Sequence, residues 1–329
     1  SDGTAFSDIK SVALNCHSSH YLKSDGTVWS TGWNTDGRLG DGTTTDRTNP
    51  VQVVNADGSP FNNVVKMTTG SHHLLFIKSD GSAWSVGRNS SGILADGNSS
   101  SRSNPVRVIK SDESNLSDVI EVSAGNFISM FLCADGTVWV SGTGYGNKAT
   151  ELLNQDGTVV TGVTDIFAGE RYIQFRKADG TVWAKGGNAD GILGTGDTVT
   201  LNYPTQILDA DGNPLQGVID ISSGQEHAFM HFIDGTVLAC GRNTVGQLGD
   251  GSHYLLNRPT LIDNQVMHAS TGSDHTVFLK GDGTVWAIGL NTSGRLGDGS
   301  TTSRSQPVQV VNSDGSAFKD VFLTSAGSS

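Results

Sequence analysis

Basic residues are scarce in this sequence: 21 Lys and Arg stand against 33 Asp and Glu, a formal net charge of −12 over 329 residues. A nucleic-acid binder needs a basic face to displace counterions, so that class is disfavoured, as is attachment to an anionic membrane surface. No apolar run approaches the ~18 residues of a membrane-spanning helix. The opening residues SDGTAFSD show no signal-peptide pattern. Cysteine is nearly absent: Cys16, Cys133 and Cys240 lie more than 100 residues apart. No CxxC spacing exists, so zinc is not indicated, and the three read as small, partly buried thiols. Glu is also rare, and Glu113, Glu121, Glu151, Glu170 and Glu226 form no paired motif. Neither a nucleophile elbow nor HExxH occurs. The stretch GTGYGN at 142–147 is neither a dinucleotide fingerprint nor a P-loop, and no helix follows it to supply an N-terminus. Helical periodicity appears nowhere over a useful length.

What the chain has instead is glycine, 43 residues of it, and a strict internal repeat. The string DGTVW or a close variant begins at Asp25, Asp80, Asp135, Asp179, Asp234 and Asp282. Trp29, Trp84, Trp139, Trp183 and Trp286 hold its fifth place, with Leu238 in the fifth copy. A glycine precedes each Asp from the second copy on at a fixed distance (Gly70, Gly125, Gly169, Gly224, Gly272), and Asn15 holds that place in the first copy. Downstream, Asn34, Asn89, Asn188, Asn243 and Asn291 keep phase, as do Pro50, Pro105, Pro204, Pro259 and Pro307. Each unit reads as four short strands rich in Val, Ile, Thr, Phe and Trp. Asp-Gly between two such strands predicts a type I′ hairpin turn. Six four-stranded units of about 50 residues predict an all-β chain, a β-propeller forming a single domain over residues 1–329. The regularly placed tryptophans are expected to pack between blades.

The stretches DGTVWSTGWNTDGRLGDGTTTDRTNPVQV at 25–53 and DGTVWAIGLNTSGRLGDGSTTSRSQPVQV at 282–310 resemble the RCC1 repeat, and the resemblance covers essentially the whole chain. It implies a propeller and says little about function. Members of that family include a nucleotide-exchange factor for a small GTPase, light sensors, ubiquitin-ligase domains and a secreted bacterial inhibitor of β-lactamases. The family's His after the first Gly is present as His73, His227 and His275; Ser18, Ile128 and Tyr172 replace it elsewhere, which marks a structural position. The third unit lacks the LGDG…P segment. Residues 1–15 align with 313–327, so the first strand type occurs seven times and the other three six times. The resemblance implies seven blades and the count of complete units implies six; six are expected, with an incomplete seventh as the alternative.

Asp36, Asp41 and Asp46 lie five apart in the first long loop, without the closing Glu of an EF-hand. Only the Asp41 position tends to recur, before Gly, which is turn chemistry; no metal and no cofactor are expected. The informative positions are those that differ between units. Trp33 stands where other units have Arg88, Thr143, Gly187, Arg242 and Leu290. Tyr145 lies in the shortened third unit. Leu201 and Tyr203 in the fourth unit, and His253, Tyr254, Leu255 and Leu256 in the fifth, occupy loops that elsewhere read as TTTDRTN or STTSRSQ. These eight residues are the expected contact set for a protein or glycan partner. The expected function is a non-enzymatic recognition scaffold, bacterial and extracellular or cell-surface by its Lys-poor, Thr- and Asn-rich composition. A carbohydrate-active enzyme or its accessory propeller is the alternative, and a GTPase exchange factor ranks below both.

Overall fold

A computed structural model of the chain describes residues 6–15, 17–209, 211–322, 324 and 326. Among them there is no helix, and so none long and apolar enough to cross a membrane. Twenty-four strands form six four-stranded antiparallel sheets, each built from consecutive strands. The first strands of the six blades are Ile9–Leu14, Val64–Thr69, Val119–Ala124, Val163–Ala168, Val218–Ser223 and Val266–Thr271. The fourth strands are Arg47–Gln52, Arg102–Arg107, Gly146–Glu151, Leu201–Gln206, Leu256–Asp263 and Arg304–Gln309. Six blades match the count of complete units. The seventh copy of the first strand lies partly outside the described residues, and Val321 and Phe322 within it are not in a strand. Cys16 also lies outside the described residues. The chain divides into two compact units, residues 1–171 and 172–329.

The repeated DGTVW string is a small hydrogen-bond machine. Asp25 Oδ1 accepts the Thr27 backbone N–H (2.9 Å) and its hydroxyl (2.6 Å), and Thr27 Oγ1 in turn accepts Trp29 Nε1–H (3.3 Å). The same relay fixes Trp183 through Thr181 and Trp286 through Thr284, both at 2.9 Å. The turn itself departs from the expected type I′. Only the glycine has positive φ (Gly26, 80°), and Gly26 N–H donates to Lys23 O at 3.0 Å. This is a three-residue loop closed by a glycine in the left-handed region. The aspartate stays right-handed because its carboxylate is committed to the Thr two residues on.

Blades meet through two devices. One is a backbone approach that only glycine permits: a Cβ on Gly125 would lie 1.9 Å from Gly169 O, and one on Gly70 would lie 2.2 Å from Gly125 O. In the second unit a Cβ on Gly224 would lie 2.6 Å from Gly272 O. The other device is a plug. After most fourth strands the chain makes a short turn, bridged for example between Val54 and Pro60, and returns one apolar residue to the edge it has just left. Phe61 N–H donates to Val53 O (3.0 Å), and its ring packs against Phe76 and Trp84 of the next blade at 5.2 and 5.4 Å, capped by Lys78 Nζ 4.0 Å from the ring centre. Leu116 plays the same part among Phe131, Cys133 and Trp139. Trp84 and Trp139 therefore pack between blades, as the repeat predicts. Where the fifth blade omits its hairpin, a hollow of about 670 Å³ opens in the second unit beside Ile219, Ile233, Met267 and Lys280.

Phe61 is wholly buried while its counterpart Phe318 is 44 % exposed. Phe61→Ala is therefore expected to cost about 3–5 kcal/mol in urea unfolding of the chain, and Phe318→Ala less than about 1 kcal/mol. Equal losses at the two positions would contradict the plug.

Candidate recognition face at the strand ends

Each long loop begins at an asparagine that the sequence marks only as recurrent. Asn34 Nδ2 donates to Asp41 Oδ1 (3.0 Å), Thr43 O (3.0 Å) and Thr45 O (3.1 Å), while its Oδ1 accepts Leu39 N–H (2.9 Å). Asn89, Asn188, Asn243 and Asn291 hold their loops in the same way, and all five are fully buried. The three aspartates of the first loop are each taken up. Asp41 takes Thr43 and Arg47, Asp36 pairs with Arg38 at 2.9 Å, and Asp46 accepts Asn34 N–H at 2.7 Å. All three are spent on groups of their own loop, Asp41 and Asp46 both on Asn34.

Asp298 is the equivalent clasp in the sixth blade. Burial alone would raise its pKa, but hydrogen bonds from Ser300 and Arg304 outweigh that and bring it down to about 2. A carboxyl depressed in the folded state adds stability above its unfolded pKa, which is lost as the pH falls through the folded value. The stability difference between the protein and Asp298→Asn is therefore expected to be full above about pH 4 and to vanish toward pH 2. Urea midpoints measured across that window check it, and a pH-independent difference would contradict the clasp.

Just before each asparagine lies the position held by Trp33 in the first blade. Its backbone N–H is bonded, in five blades alike, to the carbonyl that precedes the second strand: Trp33 to His17, Arg88 to His72, Thr143 to Phe127, Arg242 to Glu226 and Leu290 to Asp274, at 2.8–3.0 Å. The backbone of this pair is constant, and no two of the five blades carry the same pair of side chains. Sequence reasoning found one member and missed the other. The signal was available in the variation at 17, 72, 127, 226 and 274, one place before the His73 column.

In the first unit the pairs are cationic and aromatic. Trp33 is 52 % exposed and lies against His17, ring centres 4.1 Å apart and planes tilted by 33°. Arg38 is buried against Asp36, with its Nε unpartnered among the described residues. His72 Nδ1 lies 3.9 Å from Asp36. Burial, then Arg38 and Arg88, push the His72 pKa below its usual value. Farther along, Arg171 lies 5.1 Å from the Phe127 ring centre. In the second unit carboxylates stand at these strand ends: Glu226 pairs with Arg242, and Asp190 is raised by burial and by Glu226.

The eight loop residues fall as follows. The first unit holds Trp33 and Tyr145. Tyr145 is half-buried, and that burial pushes its phenol pKa up. The second unit holds the other six. Leu201 and Tyr203 start the fourth strand of blade four, with Tyr203 exposed. His253, Tyr254 and Leu255 form an exposed loop, Tyr254 at 81 %. Leu256 begins a strand and packs against the core around Phe229 and Leu248. Elsewhere, His73 and His227 are buried structural bridges, bonded to Ser129 (2.8 Å) and Thr276 (3.1 Å) and lowered by burial to a pKa of about 3. Cys133 and Cys240 are buried, their thiols raised to about 11 and 12 by burial.

A family model described as RCC1-like domain matches residues 3–329. The E3 ubiquitin-protein ligase HERC2 of Homo sapiens is 28% identical over 266 residues, 77% of this chain and 5% of that protein. The ultraviolet-B receptor UVR8 of Arabidopsis thaliana is 27% identical over 255 residues, 78% of this chain and 46% of that protein. The chain thus spans less than half the length of these relatives. Human WBSCR16 superposes with a TM-score of 0.77 at 21% identity, covering 94% of this chain and 83% of that one. Yeast RCC1 (Prp20), solved bound to Kap60, gives 0.76 at 19% identity, covering 93% and 75%. A further structure of the Saccharomyces cerevisiae protein is described with its binding to Gsp1p and histones.

Proposed function

Because the chain belongs to the RCC1-like domain family, we propose that it is a protein-binding scaffold whose first two blades capture an acidic segment of a partner. The observation that carries this is the pair of positions ahead of the long loops, where one backbone hydrogen bond is kept in five blades and no two of those blades carry the same pair of side chains. Residues free to vary on a fixed frame are where recognition can differ without cost to folding. On blades one and two that freedom has produced Trp33, His17, His72 and Arg88, with the buried Arg38 acting on His72. An exposed indole on one blade and a guanidinium at the matching position of the next suit an anchor that covers apolar area and pairs with a carboxylate. The protein partners of yeast RCC1, a member of the same fold family, support a protein ligand in preference to a glycan.

A bead-displayed library of acidic, neutral and basic peptides tests the reading. Acidic peptides are expected to bind, more weakly as salt rises, and Trp33→Ala and Arg88→Glu are each expected to reduce capture by about tenfold or more. Selection of neutral oligosaccharides or basic peptides, or capture indifferent to both substitutions, would overturn it. The pH dependence is a separate check. His72 is largely neutral at pH 7 because its pKa is lowered, so affinity for an acidic peptide is expected to rise, by about fivefold at most, as the pH falls through that pKa. His72→Gln should flatten the rise; a rise that survives the substitution assigns it elsewhere.

A further inference from the structure

The hollow of about 670 Å³ beside Ile219, Ile233 and Met267 lies wholly within the second unit, with both its walls, blades five and six, inside that unit. It opens where a return hairpin is missing. Residues 54–63 join Val53 to Val64 in blade one, whereas only residues 263–265 join Ile262 to Val266 in blade five. Asn264 and Gln265, at the shortened joint, line the hollow. Lys78 lies over the Phe61 plug in blade two, but its counterpart Lys280 bonds Asp263 at 2.8 Å.

Blade five is altered at the same place. Phe232 stands where four other blades carry Lys23, Lys78, Lys177 and Lys280. Ile233 stands where the others carry Ser24, Ser79, Ala134, Ala178 and Gly281. These changes do not repair the gap by filling it, because Ile233 remains 86 % exposed and Met267 68 %. Large apolar side chains gathered in water around a concavity of this size mark a surface for a small organic ligand.

The rim gives that ligand its charge. Asp234 and Asp282 line the hollow and are exposed. The Thr236 backbone N–H (2.9 Å) holds the Asp234 carboxyl below its usual pKa, and the Thr284 hydroxyl (2.6 Å) does the same for Asp282. Both are therefore ionised at neutral pH. Lys280, the cation among the lining residues, is committed to Asp263 and lies 4.8 Å from the Trp286 ring centre. Two exposed carboxylates beside an apolar floor complement a molecule that is apolar at one end and cationic at the other.

We propose that this hollow binds a small amphiphilic cation, an ammonium group carried on a short aryl or alkyl chain. The chain covers Phe232, Ile233 and Met267, and the ammonium faces Asp234 and Asp282. The site is separate from the strand ends of blades one and two, so either reading can fail without the other.

Titration calorimetry of the whole chain with three probes of one shape tests it: 4-phenylbutylammonium, 4-phenylbutanol and 4-phenylbutyrate. The ammonium is expected to bind about fivefold more tightly than the alcohol, and the butyrate more weakly than either, with the preference shrinking as salt rises. Asp234→Asn keeps an acceptor for Thr236 and should bring the ammonium's affinity toward the alcohol's while leaving the alcohol's unchanged. Ile233→Ser and Met267→Ser, both at exposed positions, should each weaken the ammonium and the alcohol alike, by about threefold. Failure of the ammonium to bind, equal binding of all three probes, or affinities indifferent to these substitutions overturns the proposal. Circular dichroism of each variant separates a lost contact from a lost fold.

Discussion

The structure depends on one constraint: within each unit, neighbouring blades approach so closely at Gly70, Gly125 and Gly224 that a methyl group would collide with the next backbone carbonyl. Nothing but glycine fits there, and the spacing it sets propagates outward. It places the buried His73 within hydrogen-bonding distance of Ser129, and His227 within reach of Thr276. Farther out it brings Phe61 onto Trp84. The histidines are neutral because they are buried, and each serves as a spacer between strands.

At the strand ends the same economy appears in polar form. A loop of more than ten residues without regular structure would be expected to wander. Here one buried asparagine accepts one backbone N–H and supplies donors to several loop carbonyls, so the loop is as determined as a strand. The aspartates beside it complete the clasp and the glycines admit the next blade's strand. With folding secured at these points, the residues just before the asparagine share across blades only a backbone hydrogen bond, and their side-chain chemistry diverges from blade to blade.

Much of this was legible in the sequence, and the limits were physical. Phase alone revealed six four-stranded units and the place of the tryptophans, because repeated packing imposes repeated spacing. The Asp-Gly dipeptides marked the hairpin between the second and third strands of each blade but not its type: only the glycine takes a positive φ, and a dipeptide rule does not contain that. Asn34 was visible as a recurrence without a role, since its partners are spread over residues 39–45 and are mostly backbone atoms that leave no sequence signature. Leu256 looked like part of an apolar loop, whereas it starts a strand and turns into the core. His17 and His72 escaped notice because their significance comes from the strand ends that stand beside them across the hairpin.

A saturation scan of the whole chain, scored in parallel for folding and for capture of an acidic peptide, tests the division of labour most directly. The account predicts that folding is lost by substitution at the glycine junctions, the buried asparagines and Phe61. Capture alone should be lost at Trp33, Arg88 and their backbone-paired neighbours His17 and His72. If the positions that impair capture without impairing folding avoid the paired strand ends, or if substitutions there unfold the chain as readily as those at Gly125 or Asn34, the separation of frame from recognition is contradicted.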